Sequence, residues 1–324
     1  MLRPSTLGTL VLLGHALGFF VLPAWAARNV YDLSWPLAAK LPLIAVLIAL
    51  AGHGLHLLGI VGHEGIHFTL HRNKVVSAMI GIVVASLLVG QFASGFAATH
   101  WNHHRFTNTQ SDPDGQVFMR YRSLWARMLF ARLHADHIYF GTTIRIALDR
   151  PLALAYRFPL PPRTFRRCAW FNLAAAASFF ALYVAITWVD PVTGVISIGL
   201  PLISAALFSG LRPYVEHANT EPGMFRDTRS RTSWLSTWFF LGTNYHLEHH
   251  LYPSVPCYRL PRVHRFLVGE GVLAGAPIET TLGGGWRHAT SGSQYPREII
   301  SDSPIDPIIT QPGATQPGAE GPTL

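Results

Sequence analysis

The chain has little charge: of 324 residues only 13% are Asp, Glu, Lys or Arg, against 49% hydrophobic, and mean hydropathy is +0.26. A soluble domain carries about 25% charged residues, so the deficit points to a membrane protein. Cysteine is almost missing. Cys168 and Cys257 are too few for a disulfide framework and read as isolated thiols. No Gly-rich dinucleotide motif, haem-attachment motif, CxxC pair or solenoid repeat occurs, which removes the common signatures of nicotinamide, c-type haem and dithiol chemistry. The net charge of +8 would suit nucleic acid. In a membrane protein, however, Lys and Arg gather on the cytoplasmic side, so no nucleic-acid partner is expected.

A bilayer crossing needs roughly 20 apolar residues. Such runs lie at 5–26, 41–61, 75–98, 168–189 and 192–211. Ten arginines fall between Arg120 and Arg167, and Arg212, Arg226, Arg229 and Arg231 follow the last run, whereas the turn at 190–194 has no Lys or Arg. The positive-inside rule then places 120–167 and everything beyond 212 in the cytoplasm, with the last two runs as a hairpin. Residues 41–61 enter from outside and end inside. The run 75–98 therefore cannot cross once, and its three Gly and three Ser favour close packing in an interfacial or re-entrant segment. The first 26 residues, ending Ala24-Trp25-Ala26, also resemble a signal peptide, which leaves the remaining topology unchanged. The expected architecture is an all-α membrane protein. About four transmembrane helices form two hairpins, joined by one interfacial or re-entrant apolar helix and a cytoplasmic histidine-rich cap. A membrane domain is expected over 1–267 and a Gly/Pro-rich, mostly disordered tail over 268–324.

Seventeen histidines are present. "HEGIH" holds His63 and His67, "HWNHH" holds His100, His103 and His104, and "HLEHH" holds His246, His249 and His250. Residues spaced i, i+3 and i+4 share a helix face. His217, in "RPYVEHAN", lies just past the fifth run. A topology drawn from arginine alone thus puts nine imidazoles on one side of the membrane. A single HxxxH occurs by chance and usually marks a packed or solvated ring. Two HxxHH motifs with an HxxxH point to metal. Nine imidazoles exceed a closed zinc site and suit two ions. Nitrogen donors fit Zn, Cu, Fe or Ni and exclude Ca or Mg. Glu64, Glu216, Glu248, Asp112 and Asp114 are candidates to orient the rings, although Asp112-Pro113-Asp114-Gly115 is also a good turn. His53 and His56 read as packed rings and His71 as a possible neighbour of the cluster. His134 and His137 suit an interfacial helix, and His15, His264 and His288 carry no signal.

The flanks "HWNHHRFTNTQSDPDG" and "NYHLEHHLYPSVPCYRLPRVH", with the three boxes, resemble the integral-membrane fatty acid desaturase superfamily over roughly residues 40–267. The resemblance implies a non-haem di-iron centre that activates dioxygen and removes hydrogen from an unactivated C–H bond. Its iron ligands would be His63, His67, His100, His103, His104, His246, His249 and His250, with His217 as the extra histidine between boxes two and three. Iron would abstract the hydrogen, so no side chain need serve as a general base. Some relatives carry an Asn four residues before that extra histidine, acting through water. Pro213 stands there in this chain, leaving Asn219 or Asn244 as substitutes, or a second iron with a different set of neighbours.

The activity so implied is a fatty acyl desaturase that uses dioxygen and two electrons to introduce a C=C bond. It would sit in an inner or plasma membrane, take a lipid substrate from the bilayer, and accept electrons from a separate ferredoxin-like or cytochrome b5-like donor. The Arg-rich region would meet lipid headgroups or such a donor. The same scaffold also serves hydroxylases and ketolases of lipids and carotenoids. A metal carrier is the remaining reading, though carriers place ionisable groups within their spans.

Overall fold

Four helices are long and apolar enough to cross a membrane: Thr6–Asp32, Leu37–Ile66, Pro162–Val189 and Pro191–His217. They stand in a computed structural model that describes residues 3–152, 158–221 and 223–290. In chain order the elements are α1 (Thr6–Asp32), α2 (Leu37–Ile66), α3 (Lys74–Ser86), α4 (Ala93–Phe106), α5 (Pro113–Phe118), α6 (Leu124–Ala126) and α7 (Arg132–Ala147). After these come α8 (Pro162–Val189), α9 (Pro191–Thr193), α10 (Leu200–His217), β1 (Ser230–Arg231), α11 (Trp234–Phe240), α12 (His246–Leu251), α13 (Leu260–Gly269), β2 (Ile278–Glu279) and α14 (Arg287–Thr290). A π-helical turn, Gly194–Gly199, joins α9 to α10 in the fourth span.

The central helix is α2. Its apolar window is 61% buried, against 22% for α1 and 17% for α8, so its neighbours rather than lipid take up its surface. Glycine permits this closeness. A Cβ on Gly54 would meet the Phe20 backbone nitrogen of α1 at 2.2 Å, and one on Gly65 would meet Gly81 Cα of α3 at 2.4 Å. Small residues at such crossings let helix backbones approach where lipid supplies no hydrophobic drive. Leu12 and Ala16 of α1 share a buried cluster with Leu55, Leu57 and Leu58 of α2 and with Val255, Cys257 and Leu260 beyond the last histidine box. The start of α1 is fastened to that segment: Ser5 N donates to Tyr258 Oη at 2.9 Å.

The bundle has two distinct ends. At one, Asp190 accepts from Val192 N and Thr193 N to cap α9, and Arg28 of α1 reaches it at 3.6 Å. At the other lie the start of α1, the end of α2 and the end of α10. Ile66 there shares a cluster with Phe165 and Cys168 from the start of α8. All four histidine-bearing segments are at this second end.

The expectation for 75–98 holds. The run breaks at 87–92, where Val89 takes φ 58°, and separates α3 from α4. With 13 residues, α3 is about 20 Å long, short of the roughly 30 Å hydrocarbon core.

Residue 268 does not mark the start of a bare tail. Beyond it β2 pairs in parallel with β1, Ser230 against Ile278 and Arg231 against Glu279. Arg127 Nη1 donates to Ala289 O at 3.0 Å, and Ala289 is fully buried. Composition could not show this, because backbone pairing and one aromatic anchor, Trp286, leave no periodic pattern. Residues 291–324, the rest of the expected tail, lie outside the described residues.

Two outcomes are expected. Gly81→Leu, overpacked against Gly65, should cost about 1–3 kcal/mol and lower the melting temperature in detergent, while a surface change on α8 such as Trp188→Leu should not. Truncation after Gly275 should reduce the yield of monodisperse protein, because it removes β2 and the Ala289 carbonyl that accepts from Arg127 Nη1. An unchanged yield would return 268–290 to a dispensable tail.

Candidate metal centre

Two turns of helix end at the centre. His63, in the last turn of α2, and His67, at its C-cap, are four residues apart and face α4. His100 and His104 stand on one face of α4, and His103 turns to the side. His246, His249 and His250 occupy a single short helix, α12, and His217 is the last residue of α10. His63, His67, His100, His104 and His249 bring one nitrogen each within 4.8 Å of one another, and so do His103, His217 and His250. His246 joins the second group, its Nε2 at 3.0 Å from His217 Nε2 and 3.2 Å from His250 Nε2. The nine expected residues therefore divide five and four, and both HxxHH boxes contribute to each group. The groups adjoin, with the His104 and His250 rings 4.3 Å apart.

These contacts carry chemical information. His63 Nε2 lies 2.9 Å from His100 Nε2, which lies 3.0 Å from His104 Nε2. Only a shared proton or a shared cation makes such a pair attractive. Donors at right angles around an ion, each about 2.1 Å away, are about 3.0 Å apart. Several other ring nitrogens are buried without any hydrogen bond, among them both of His67 and Nε2 of His249. Buried polar atoms are rarely left so, and a cation would satisfy them. The residues present thus fit two metal ions.

Protonation agrees. Burial, then the neighbouring imidazoles, holds His100, His104, His246, His249 and His250 well below the usual histidine range, and His67 down to about 3. Neutral imidazole is the ligating form. His103 is the exception. Burial opposes its charge, but Asp112, Asp114 and Asp227 outweigh burial and raise it to about 9. An ion taking that ring must displace its proton.

Outer partners fix the rings. Asp112 Oδ1 is 2.9 Å from His103 Nδ1 and also accepts from Asp114 N and Gly115 N to cap α5. One carboxylate is thus both the turn residue and the ring's anchor. His217 Nδ1 meets Asp227 O at 3.2 Å, and His250 Nδ1 meets Thr107 Oγ1 at 3.3 Å. Glu64, adjacent to His63, accepts from Thr69 Oγ1 and from Cys257 N at 2.9 Å, tying box one to the segment after box three. Glu248 is wholly buried. Ser230 Oγ donates to it at 2.5 Å, and His264 Nδ1 lies 2.5 Å away.

His264 is the residue that spacing missed. It sits alone in α13, outside any box, and only the fold brings it to Glu248. Other histidines settle differently. His53 packs among Phe19, Phe208, Phe239 and Phe240. His71 is exposed and accepts from Asn73 N. His134 bonds Tyr121 Oη. Of the two expected substitutes for an amide at position 213, Asn219 meets His288 and Asn244 Nδ2 bonds Arg231 O. Glu216 Oε2 stands 3.6 Å from His246 Nε2, while Arg212 Nε donates to its other oxygen at 2.8 Å.

A family model for fatty acid desaturases matches residues 37–280. The chain belongs to the fatty acid desaturase family. Within that range fall all nine histidines, α13 and β2. Among curated relatives of this desaturase-family chain, a beta-carotene ketolase of Paracoccus sp. (strain PC1) is 29% identical over 81% of this chain and 96% of that protein. A sphingolipid delta(4)-desaturase of Drosophila melanogaster is 27% identical over 73% of the chain and 68% of its own length. A beta-carotene ketolase of Paracoccus sp. (strain N81106 / MBIC 01143) is 27% identical over 74% and 88%. Desaturases and ketolases alike are oxidoreductases, and the histidine clusters of this family member are able to hold metal.

His264→Ala strips one partner from the wholly buried Glu248 and should cost about 1–3 kcal/mol, read as a lower melting temperature in detergent. A melting temperature equal to wild type would leave the Glu248–His264 contact without energetic weight.

Proposed function

We propose that this protein is a membrane lipid desaturase acting at a di-iron centre, with dioxygen and two electrons as co-reactants. The observation that carries the reading is the pair of adjoining imidazole groups that line one cavity at an end of the bundle. His63, His100, His103, His217 and His246 all face that cavity. His63, His67, His100, His104 and His249 would hold one iron, and His103, His217, His246 and His250 the other, with Glu216 beside the second. Iron bound there supplies the oxidising chemistry that removes hydrogen from an unactivated C–H bond. The chain's own work is positioning. Asp112, Glu64 and Glu248 hold rings and segments in register, and α2 and α10 wall the cavity. Helices whose faces stay exposed, as Trp170, Phe180 and Trp188 of α8 do, keep the site next to lipid.

The active site would face the cytoplasm of an inner or plasma membrane, on the arginine bias described above. Electrons would come from a separate ferredoxin-like or cytochrome b5-like protein, for which the exposed Arg120 and Arg122 would supply positive charge. A second reading, ketolation or hydroxylation of a lipid or carotenoid, is favoured by the near full-length similarity to a beta-carotene ketolase. Both readings use the same iron and differ in where the lipid is held.

The test is metal analysis of purified protein together with lipid and pigment profiling of expressing cells. Two irons per chain and products lighter by two hydrogens are expected. Products that gain oxygen would select the second reading, and zinc with no lipid change would sink both. His249→Ala should lower turnover by more than about 100-fold, beyond the range of outer partners, with the protein still inserted in the membrane.

A further inference from the structure

The cavity beside the metal centre, of about 110 Å³, sets polar side chains within a mostly apolar lining. His56, Gly59, Ile60 and His63 follow one wall along α2. Gly59 lies four residues before His63 and His56 seven, about 6 Å and 10 Å at 1.5 Å per residue. Gln91 lies across Gly59. Its Nε2 donates to Gly59 O at 3.4 Å, and a Cβ at Gly59 would come within 2.5 Å of Gln91 Oε1. The backbone is thus cut back to seat the carboxamide in the cavity wall. Gln91 is 6% exposed, and among the described residues its carboxamide makes no hydrogen bond besides that long one. Ser209 of α10 also lines the cavity, its Oγ 2.9 Å from His56 Nδ1.

A carboxamide offers two donors and an acceptor with two lone pairs, and buried polar groups are normally partnered. An alkyl segment here would displace water and put CH2 groups against Gln91 and the His56–Ser209 pair, with nothing to replace the lost bonds. A substrate oxygen would replace them.

We propose that the lipid oxidised by this protein carries a hydroxyl or carbonyl oxygen a few bonds from the reacting carbon, received by Gln91 with the His56–Ser209 pair one to two turns down α2 from His63. The proposal rests on the reading of the histidine centre as the oxidation site. It makes Gln91 a specificity residue, whichever of desaturation or ketolation follows. Two sources share this chemistry, hydroxylated acyl chains and ring-hydroxylated carotenoids, and both are probed.

The full-length protein, purified in detergent with its metal, is offered stearic acid against its positional hydroxystearic isomers, and β-carotene against its 3-hydroxylated form. Binding is read by radiolabel retention and by the shift in melting temperature. The oxygenated member of one pair should bind about 10- to 100-fold more tightly than its plain counterpart. Gln91→Met, of similar length, should bring that ratio near one. Ser209→Ala, which removes only a hydroxyl, should lower it in the same direction, with the metal content of both variants equal to wild type. Equal binding within both pairs, or a ratio untouched by both substitutions, overturns the proposal. The preference is read from binding, so it can be judged even where no oxidation product forms. Absence of iron or of products would count against the oxidation reading instead.

Discussion

Everything in the cap depends on holding neutral imidazole nitrogens about 3 Å apart inside protein. His63, His100 and His104 meet in this way, as do His217, His246 and His250. Without a proton or a cation between them, lone pairs at this distance repel. Burial removes the water that would otherwise relieve them. The cost is met by making the surroundings stiff: Asp112 holds His103 while capping α5, Glu64 joins box one to Cys257, and Glu248 is clasped by Ser230 and His264. Asp112 and Glu248 spend both oxygens on the protein, whereas Glu64 keeps Oε1 free of hydrogen bonds, 3.5 Å from His63 Nδ1.

That stiffness is transmitted from the membrane helices. α2 delivers His63 and His67 and is the most buried span, because glycines let α1 and α3 lie against its backbone. α3 is too short to cross. Its role is to return the chain so that α4 points its box at α2, and the break at 87–92 that separates the two also places Gln91 on the cavity wall. The element that fails to span is therefore the one that closes the site. Beyond α12, the segment through Tyr258 reaches back to Ser5, so the first span and the last box support each other. The pairing of β1 with β2 then carries the chain over the cap as far as Thr290.

Much was legible in the sequence for physical reasons. Apolar runs need a fixed length to span a bilayer; all five have it, and the arginine bias singled out the third as the one that does not cross. HxxxH and HxxHH mark rings that share a helix face. All nine expected histidines converge, and their conjunction with the flanking Asp-Pro-Asp-Gly and Leu-Tyr-Pro segments marks the family. Less legible were residues whose partners come from distant segments. His264 has no neighbour of its kind, and Asn219 and Asn244 look as plausible beside Pro213 as Glu216 until their contacts are known. Residues 268–290 have the composition of a tail, yet they pair through backbone atoms that composition does not record.

The amino-acid sequence by itself determined that this chain is a helical membrane protein with histidine boxes able to hold metal, because span length and helix periodicity are local properties. The tertiary structure alone decided the division of the nine histidines into five and four: helix periodicity separates the i+3 ring of each HxxHH box from its i, i+4 pair, but which rings of other segments each meets depends on the fold. It also decided that a carboxylate rather than an amide stands beside His246, and that a buried carboxamide faces the cavity below His63. Those contacts arise between residues far apart in the chain, where no spacing rule reaches.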